Sequence, residues 1–180
     1  VLSNSVNAIR ANSNVSKKVY FPKIILPFVT MITALLDYVM LFGLWLFVAL
    51  VFQFAPSANI IWLPLFFLSF LIMLMGISTW FIALGGRFVD TRMIVPAISQ
   101  SMMYLSPVIY PITVVPENFR VLYGLINPIS GYISAFKWAL AGVEPFYPWM
   151  IFYSTGIATI LCLTGVMALS RVEKNINDYV

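Results

Sequence analysis

Few residues in this chain are of types that do chemistry. Its 180 residues include six carboxylates, ten basic side chains, the single cysteine Cys162 and no histidine. A zinc or haem site draws on clustered His and Cys, so no metal ligand is expected, and no residue reads as catalytic. One thiol cannot close an internal disulfide. No GxxxxGK[ST] loop, whose backbone amides would cradle phosphates, occurs in the sequence. The clustered acid–base candidates are Asp90 with Arg87 and Arg92, and Glu117 with Arg120. An enzyme working on lipid-linked sugars needs such a group near a membrane surface. A carboxylate three residues from an arginine on a helix is more simply an ion pair. Asp37 stands apart, alone in an apolar run, where an ionisable group normally faces a protein partner or a wet cavity.

The elements that must position these groups are apolar to an unusual degree. The chain is 62% hydrophobic and 9% charged, with mean hydropathy +0.97, against about 25% charged residues in a soluble domain. Its surroundings are therefore lipid and other helices, and the reading is an all-α integral membrane protein. Four runs, residues 24–54, 60–86, 93–110 and 150–170, are expected to span the bilayer, for which about 20 residues suffice. Gly76, Ser78, Gly85 and Gly86 in the second run would let helix backbones approach closely. The third run carries Ser99, Gln100, Ser101, Tyr104 and Ser106, a face suited to water or to neighbouring helices.

Between the last two spans lies residues 111–149, still apolar and aromatic but broken by Pro111, Pro116, Pro128, Pro145 and Pro148. An uninterrupted spanning helix does not tolerate so many prolines. Irregular backbone at membrane depth survives where it is buried in protein or lines a wet cavity. The apolar spacing of Phe119, Leu122, Tyr123 and Ile126 predicts a short helix, Asn127-Pro128 a reversal, and Ile129–Ala141 a second helix stopped at Gly142. Neither arm is long enough to cross, so the segment is read as a re-entrant helical hairpin.

Charge placement gives the orientation. Arg10, Lys17, Lys18, Lys23, Arg87, Arg92, Arg171 and Lys174 fall on one side of a four-span chain, and Arg120 and Lys137 on the other. By the positive-inside rule, residues 1–23, 87–92 and 171–180 are cytoplasmic and the hairpin enters from outside. Basic residues that flank apolar runs, despite the net charge of +4, argue against nucleic acid as a partner. Near the amino end, Asn12-Ser13-Asn14 precedes a short basic helix closed by Phe21-Pro22. It reads either as a solvated connector or as a surface helix that a soluble partner could push.

Several stretches resemble one family. SKKVYFPKIILP at Ser16–Pro27, RFVDTRMIVP at Arg87–Pro96 and LSPVIYP at Leu105–Pro111 are similar to permeases of the type-2 ABC exporters. So are VPENFR at Val115–Arg120, INP at Ile126–Pro128 and SGYISAFKWAL at Ser130–Leu140. The branch resembled exports O-antigen, capsular polysaccharide and teichoic acid. The resemblance implies a single permease domain over 1–180 corresponding to the last four of six spans. It implies a homodimer enclosing one pathway for a glycan or lipid-linked glycan, with ATP and Mg held by a separate ATPase and no cofactor on this chain. It places the ATPase-coupling helix at 14–21, with Val15, Lys17, Lys18, Val19, Tyr20 and Phe21 making the contact. Arg87, Asp90 and Arg92 become candidates for a cytoplasmic gate. The pathway candidates are Asp37, Tyr104, Tyr110, Phe119, Tyr132, Phe136 and Trp138, each aromatic being equally suited to anchoring at the interface. A permease of the same superfamily for drugs or small lipids is the alternative.

Overall fold

The computed structural model describes residues 25–85, 91–108, 110–145 and 147–177, without the side chains of residues 26, 85, 91–95 and 173–177. The coupling-helix residues Val15–Phe21, together with Arg87 and Asp90, lie outside the described residues, as does the side chain of Arg92. Among the described residues every element is helical. The helices are α1 (Ile25–Val51), α2 (Leu63–Gly85), α3 (Thr91–Leu105), α4 (Glu117–Ile126), α5 (Ile129–Ala141) and α6 (Trp149–Asn177). Short 3-10 segments at Ala58–Trp62 and Ile112–Val114 precede α2 and α4. Among the described residues three stretches are long and apolar enough to cross a membrane: Pro27–Val51, Ala58–Leu84 and Trp149–Val172.

Local chemistry sets the ends. Pro27 sits in the first turn of α1, where its missing N–H costs nothing, and its carbonyl accepts the Thr30 hydroxyl at 2.7 Å. The apolar run continues to Phe54, but α1 stops at Val51. The Phe54 amide bonds back to the Ala49 carbonyl at 2.9 Å and the Gln53 amide to Leu50 at 3.2 Å. Gln53 adopts φ 52°. That is a Schellman closure, made here by a glutamine. Ser57 then caps the 3-10 segment, its Oγ accepting the Asn59 amide at 3.3 Å, and Pro64 enters α2 in its first turn.

Helix α3 is 15 residues long and carries Pro96 inside it, so it rises about 22 Å, less than the roughly 30 Å of a hydrocarbon core. The run expected to continue to Tyr110 ends as helix at Leu105, because Pro107 pushes Ser106 out of the helical region. In the interrupted segment, Pro116 and Glu117 open α4, with the carboxylate in the first turn, where it suits the helix dipole. Asn127 Oδ1 accepts the Ile129 amide at 3.1 Å across the reversal. Helix α5 closes on Gly142 at φ 69°, a conformation glycine adopts without strain.

The described chain falls into two compact units. One holds residues 25–36, 71–85, 91–100 and 158–177. Within it α2 and α6 touch backbone to backbone at Gly76 and Gly165. A methyl on Gly76 would lie 2.6 Å from the Cys162 amide nitrogen and 2.7 Å from the Leu161 carbonyl carbon. Trp80 Nε1 donates to Thr164 Oγ1 at 3.1 Å beside this crossing, and Ile82, Ala83 and Leu169 bury together. The other unit holds residues 37–70 and the described part of 101–157. There α4 and α5 pack on the start of α6 through small residues. A methyl on Gly131 would meet Ser154 Oγ at 2.3 Å and the Met150 carbonyl oxygen at 2.7 Å. Ser154 Oγ donates to Pro128 O at 2.6 Å, and Tyr153 Oη to Leu125 O at 2.9 Å.

Candidate functional site

Two features of the second unit stand out, a polar tether at the end of α3 and an aromatic cavity beside α5. The tether gathers on the Leu105 carbonyl. Tyr123 Oη from α4 donates to it, and Asn127 Nδ2 reaches it at 3.2 Å while also bonding Ser106 Oγ at 2.9 Å. Tyr110 Oη lies 3.3 Å from the same carbonyl and 3.0 Å from Tyr123 Oη, one proton facing two acceptors. Lys137 Nζ from α5 donates to the Pro107 carbonyl at 2.8 Å. Both arms of the hairpin are thus bonded to the last residue of α3 and the two that follow it, Leu105, Ser106 and Pro107. Burial, and then the Tyr110 hydroxyl, push the Tyr123 phenol above its ordinary value.

Arg120 supports the hairpin's entry. Its side chain, only 10% exposed, pairs with Glu117 at 3.3 Å. The stronger contacts are to backbone: Nε to Val115 O at 2.8 Å and Nη2 to Thr113 O at 3.2 Å. The expected ion pair is present, but the arginine is buried and its charge is spread over carbonyls. A planar fork reaching several acceptors is the geometry arginine supplies and lysine does not.

The cavity encloses about 650 Å³ and is lined by the 3-10 segment before α2, by α2, α5 and α6, and by Glu144, Pro145, Tyr147 and Pro148. Trp62, Phe66, Trp138, Tyr147 and Phe152 form its aromatic walls, with Leu65, Ala135 and Ile151 between them. Its polar floor is a one-way relay. Tyr132 Oη meets Ser69 Oγ at 2.9 Å, Ser69 Oγ donates to Thr155 Oγ1 at 3.0 Å, and Thr155 Oγ1 donates to Ile151 O at 2.8 Å. Ser134 Oγ donates to Ser130 O at 3.0 Å. Among the described residues, Glu144 is the only charged one in the lining.

The sequence-predicted residues scatter over this frame. Tyr132 is fully buried, 0% exposed, with its ring edge-on to Phe70 at 5.4 Å. Phe136 meets Phe70 edge-on at 6.2 Å, and Trp138 tilts against Phe66 at 6.1 Å on the cavity wall. Tyr110 belongs to the tether. Tyr104, Phe119 and Asp37 lie on exposed surface, and nothing described brings them to the cavity. Sequence reasoning missed Trp62, Phe66, Tyr147 and Phe152. It also missed a ladder on α1, where Tyr38, Phe42 and Trp45 stack at 5.9 and 6.0 Å and Phe67 lies 3.6 Å from Tyr38. The spacing of four and three residues in that ladder was a usable signal.

Among the described residues, an all-helical architecture with three apolar helices long enough to cross a bilayer is that of a multi-pass membrane protein. Residues 1–141 match the ABC-2 type transporter family, and the chain belongs to that family. Two O-antigen export system permease proteins, RfbA of Klebsiella pneumoniae, are each 25% identical to it over 173 residues. The alignment covers 95% of this chain and 66% of each relative. Membership, with the three apolar helices, makes this a multi-pass inner-membrane protein.

Proposed function

We propose that the chain is the membrane-spanning subunit of an ATP-driven exporter that moves a polysaccharide, free or lipid-linked, across the cytoplasmic membrane. The observation that carries this is the match to the O-antigen export permeases over 95% of the chain, within a family match of residues 1–141. ATP and Mg belong to a separate ATPase, which docks on the basic stretch 14–21 and biases the permease between inward- and outward-facing states. Residues 24–54, 60–86, 93–110 and 150–170 are the last four of six spans in each half of a homodimer. Arg87, Asp90 and Arg92 sit at the cytoplasmic mouth. The hairpin within 111–149 dips in from the outer side and closes the outer mouth. Two observations support a gate: its arms of 10 and 13 residues are too short to cross, and both are bonded to the end of α3.

The apolar cavity favours a second reading, export of drugs or small lipids, since such sites are concave and mostly apolar. Deleting the gene and following both cargo classes separates the two. Loss of surface glycan with lipid-linked glycan retained on the cytoplasmic side is the expected result. Normal surface glycan together with altered drug sensitivity or altered lipid distribution would transfer the protein to the second reading.

A further inference from the structure

We propose that the cavity beside α5 is a binding site for a membrane amphiphile, taking its alkyl chain between the aromatic walls and its ammonium head at Glu144. The inference goes beyond glycan export, because the same geometry argues against a sugar here. A glycan presents many hydroxyls that need reciprocal donors and acceptors. The hydroxyl protons of Ser69, Thr155 and Ser134 are already committed to Thr155 Oγ1, Ile151 O and Ser130 O. Among the described residues no buried side-chain nitrogen or oxygen lacks a partner, so the interior of the site leaves no buried group for a sugar to satisfy, and its one charged group, Glu144, sits at an exposed position. An alkyl chain makes none either and gains from leaving water or disordered lipid for a shaped apolar wall.

The mouth points to the source of the ligand. Phe152 is 77% exposed and Trp62 50% exposed at the rim, with Leu65 and Ile61 exposed beside them. All four belong to stretches apolar enough to span a membrane. A rim of that kind opens onto lipid, so a bilayer component can enter without crossing water. The volume of about 650 Å³ lies inside the roughly 300–1,000 Å³ range of small-molecule sites. Head-group choice follows from charge: among the described residues one carboxylate and no cation line the cavity. Aromatic rings beside a carboxylate attract ammonium groups, whereas a fatty acid or a phosphate-ended lipid would bring like charge to Glu144.

The test uses the full-length permease in lipid nanodiscs with whatever ATPase co-purifies. The probes are a hexadecylamine and a hexadecanoic acid that carry a photoactivatable diazirine at the same mid-chain carbon. Labelled residues are mapped by mass spectrometry. The amine should label Trp62, Phe66, Trp138 and Phe152, and unlabelled phosphatidylethanolamine should compete. It should exceed the acid by about fivefold, the upper end for a solvent-reachable charge pair. Glu144→Gln, at an exposed position where folding is not at risk, should erase that preference while leaving chain labelling in place. Ser134→Phe, which fills the cavity, should abolish labelling there without touching labelling of the outer face of α1. Labelling confined to exposed residues such as Ile32 and Met40 would overturn the proposal and leave the cavity to protein, either a second copy or another part of the chain. Equal labelling by acid and amine in both wild type and Glu144→Gln would overturn the head-group assignment. Protection by the exported glycan without lipid would place the cavity on the sugar path and overturn the whole inference. The readout is labelling rather than export, so it fails or succeeds independently of the exported cargo.

Discussion

Gly76→Ala should loosen the contact between α2 and α6 measurably. In a bilayer helices gain no hydrophobic advantage from meeting, and close van der Waals packing takes its place. The added methyl would lie 2.6 Å from Cys162 N and 2.7 Å from Leu161 C, both rigid backbone atoms. The helices must retreat by roughly 0.8–1 Å to restore ordinary contact, and a gap of that size forfeits about a quarter to a half of each neighbouring attraction. Overpacking of this kind costs about 1–3 kcal/mol, from which the better helix propensity of alanine recovers up to about 1 kcal/mol. A net loss of about 1–2 kcal/mol is expected. Gly43→Ala is the control, since a methyl there meets nothing within 4 Å, and it should be neutral or slightly stabilising. Unfolding in mixed micelles, titrated with denaturing detergent, reads both variants on one scale. Gly165→Ala presses the same two helices apart, its methyl meeting Thr79 Oγ1 at 2.1 Å and Gly76 O at 2.8 Å. The double variant should therefore cost less than the two singles together. Gly76→Ala as stable as Gly43→Ala would refute the close crossing.

Gln53→Gly should stabilise the protein by about 0.5–1 kcal/mol in the same titration, because a left-handed residue at a helix end favours glycine; a loss would mean the glutamine side chain does more than tolerate its backbone. Arg120→Ala should cost about 1–3 kcal/mol by stranding the Val115 and Thr113 carbonyls, and Arg120→Lys should recover less than half; limited proteolysis at residues 112–116 reads the loosening. Burial raises the Tyr123 phenol above its ordinary value, so the folded state holds that proton more tightly than the unfolded one. Its contribution is complete below pH about 10 and declines as pH rises further, and Tyr123→Phe should remove that alkaline dependence from a hairpin cross-linking assay. In a Cys162→Ser background, cysteines at Thr91 and Asn175 should react with an impermeant maleimide only from the cytoplasm and one at Asn118 only from outside; labelling of Thr91 from outside would end the four-span arrangement.

Where backbone chemistry decides, the sequence was readable. Asn127-Pro128 and Gly142 mark breaks that the helices obey, and Gly76 was legible as a close-approach residue, whereas the run expected to reach Tyr110 stops as helix at Leu105, before Pro107. The Schellman closure at Gln53 was not, because the sequence offers no glycine there and the run stays apolar through Phe54. Nor was the cavity. Its described walls come from helices α2, α5 and α6 with Glu144, Pro145, Tyr147 and Pro148, and helices apolar on all sides carry no periodic stripe to say which face meets which. Arg120 shows the same limit at one residue. Its pairing with Glu117 follows from spacing, while its hold on the Val115 and Thr113 carbonyls depends on how Val115-Pro116 turns the chain.

The Leu105 carbonyl is courted by three side-chain donors, Tyr123, Asn127 and Tyr110, yet a carbonyl oxygen has two lone pairs. One donor is always in reserve. A survey of single substitutions would score Tyr110 and Tyr123 as dispensable, each loss being covered by the other, and only the paired Tyr110→Phe, Tyr123→Phe variant would expose the joint. Such redundancy lets either tyrosine drift by mutation while the attachment of hairpin to helix persists, so its importance is written in the epistasis between the two positions rather than in either alone.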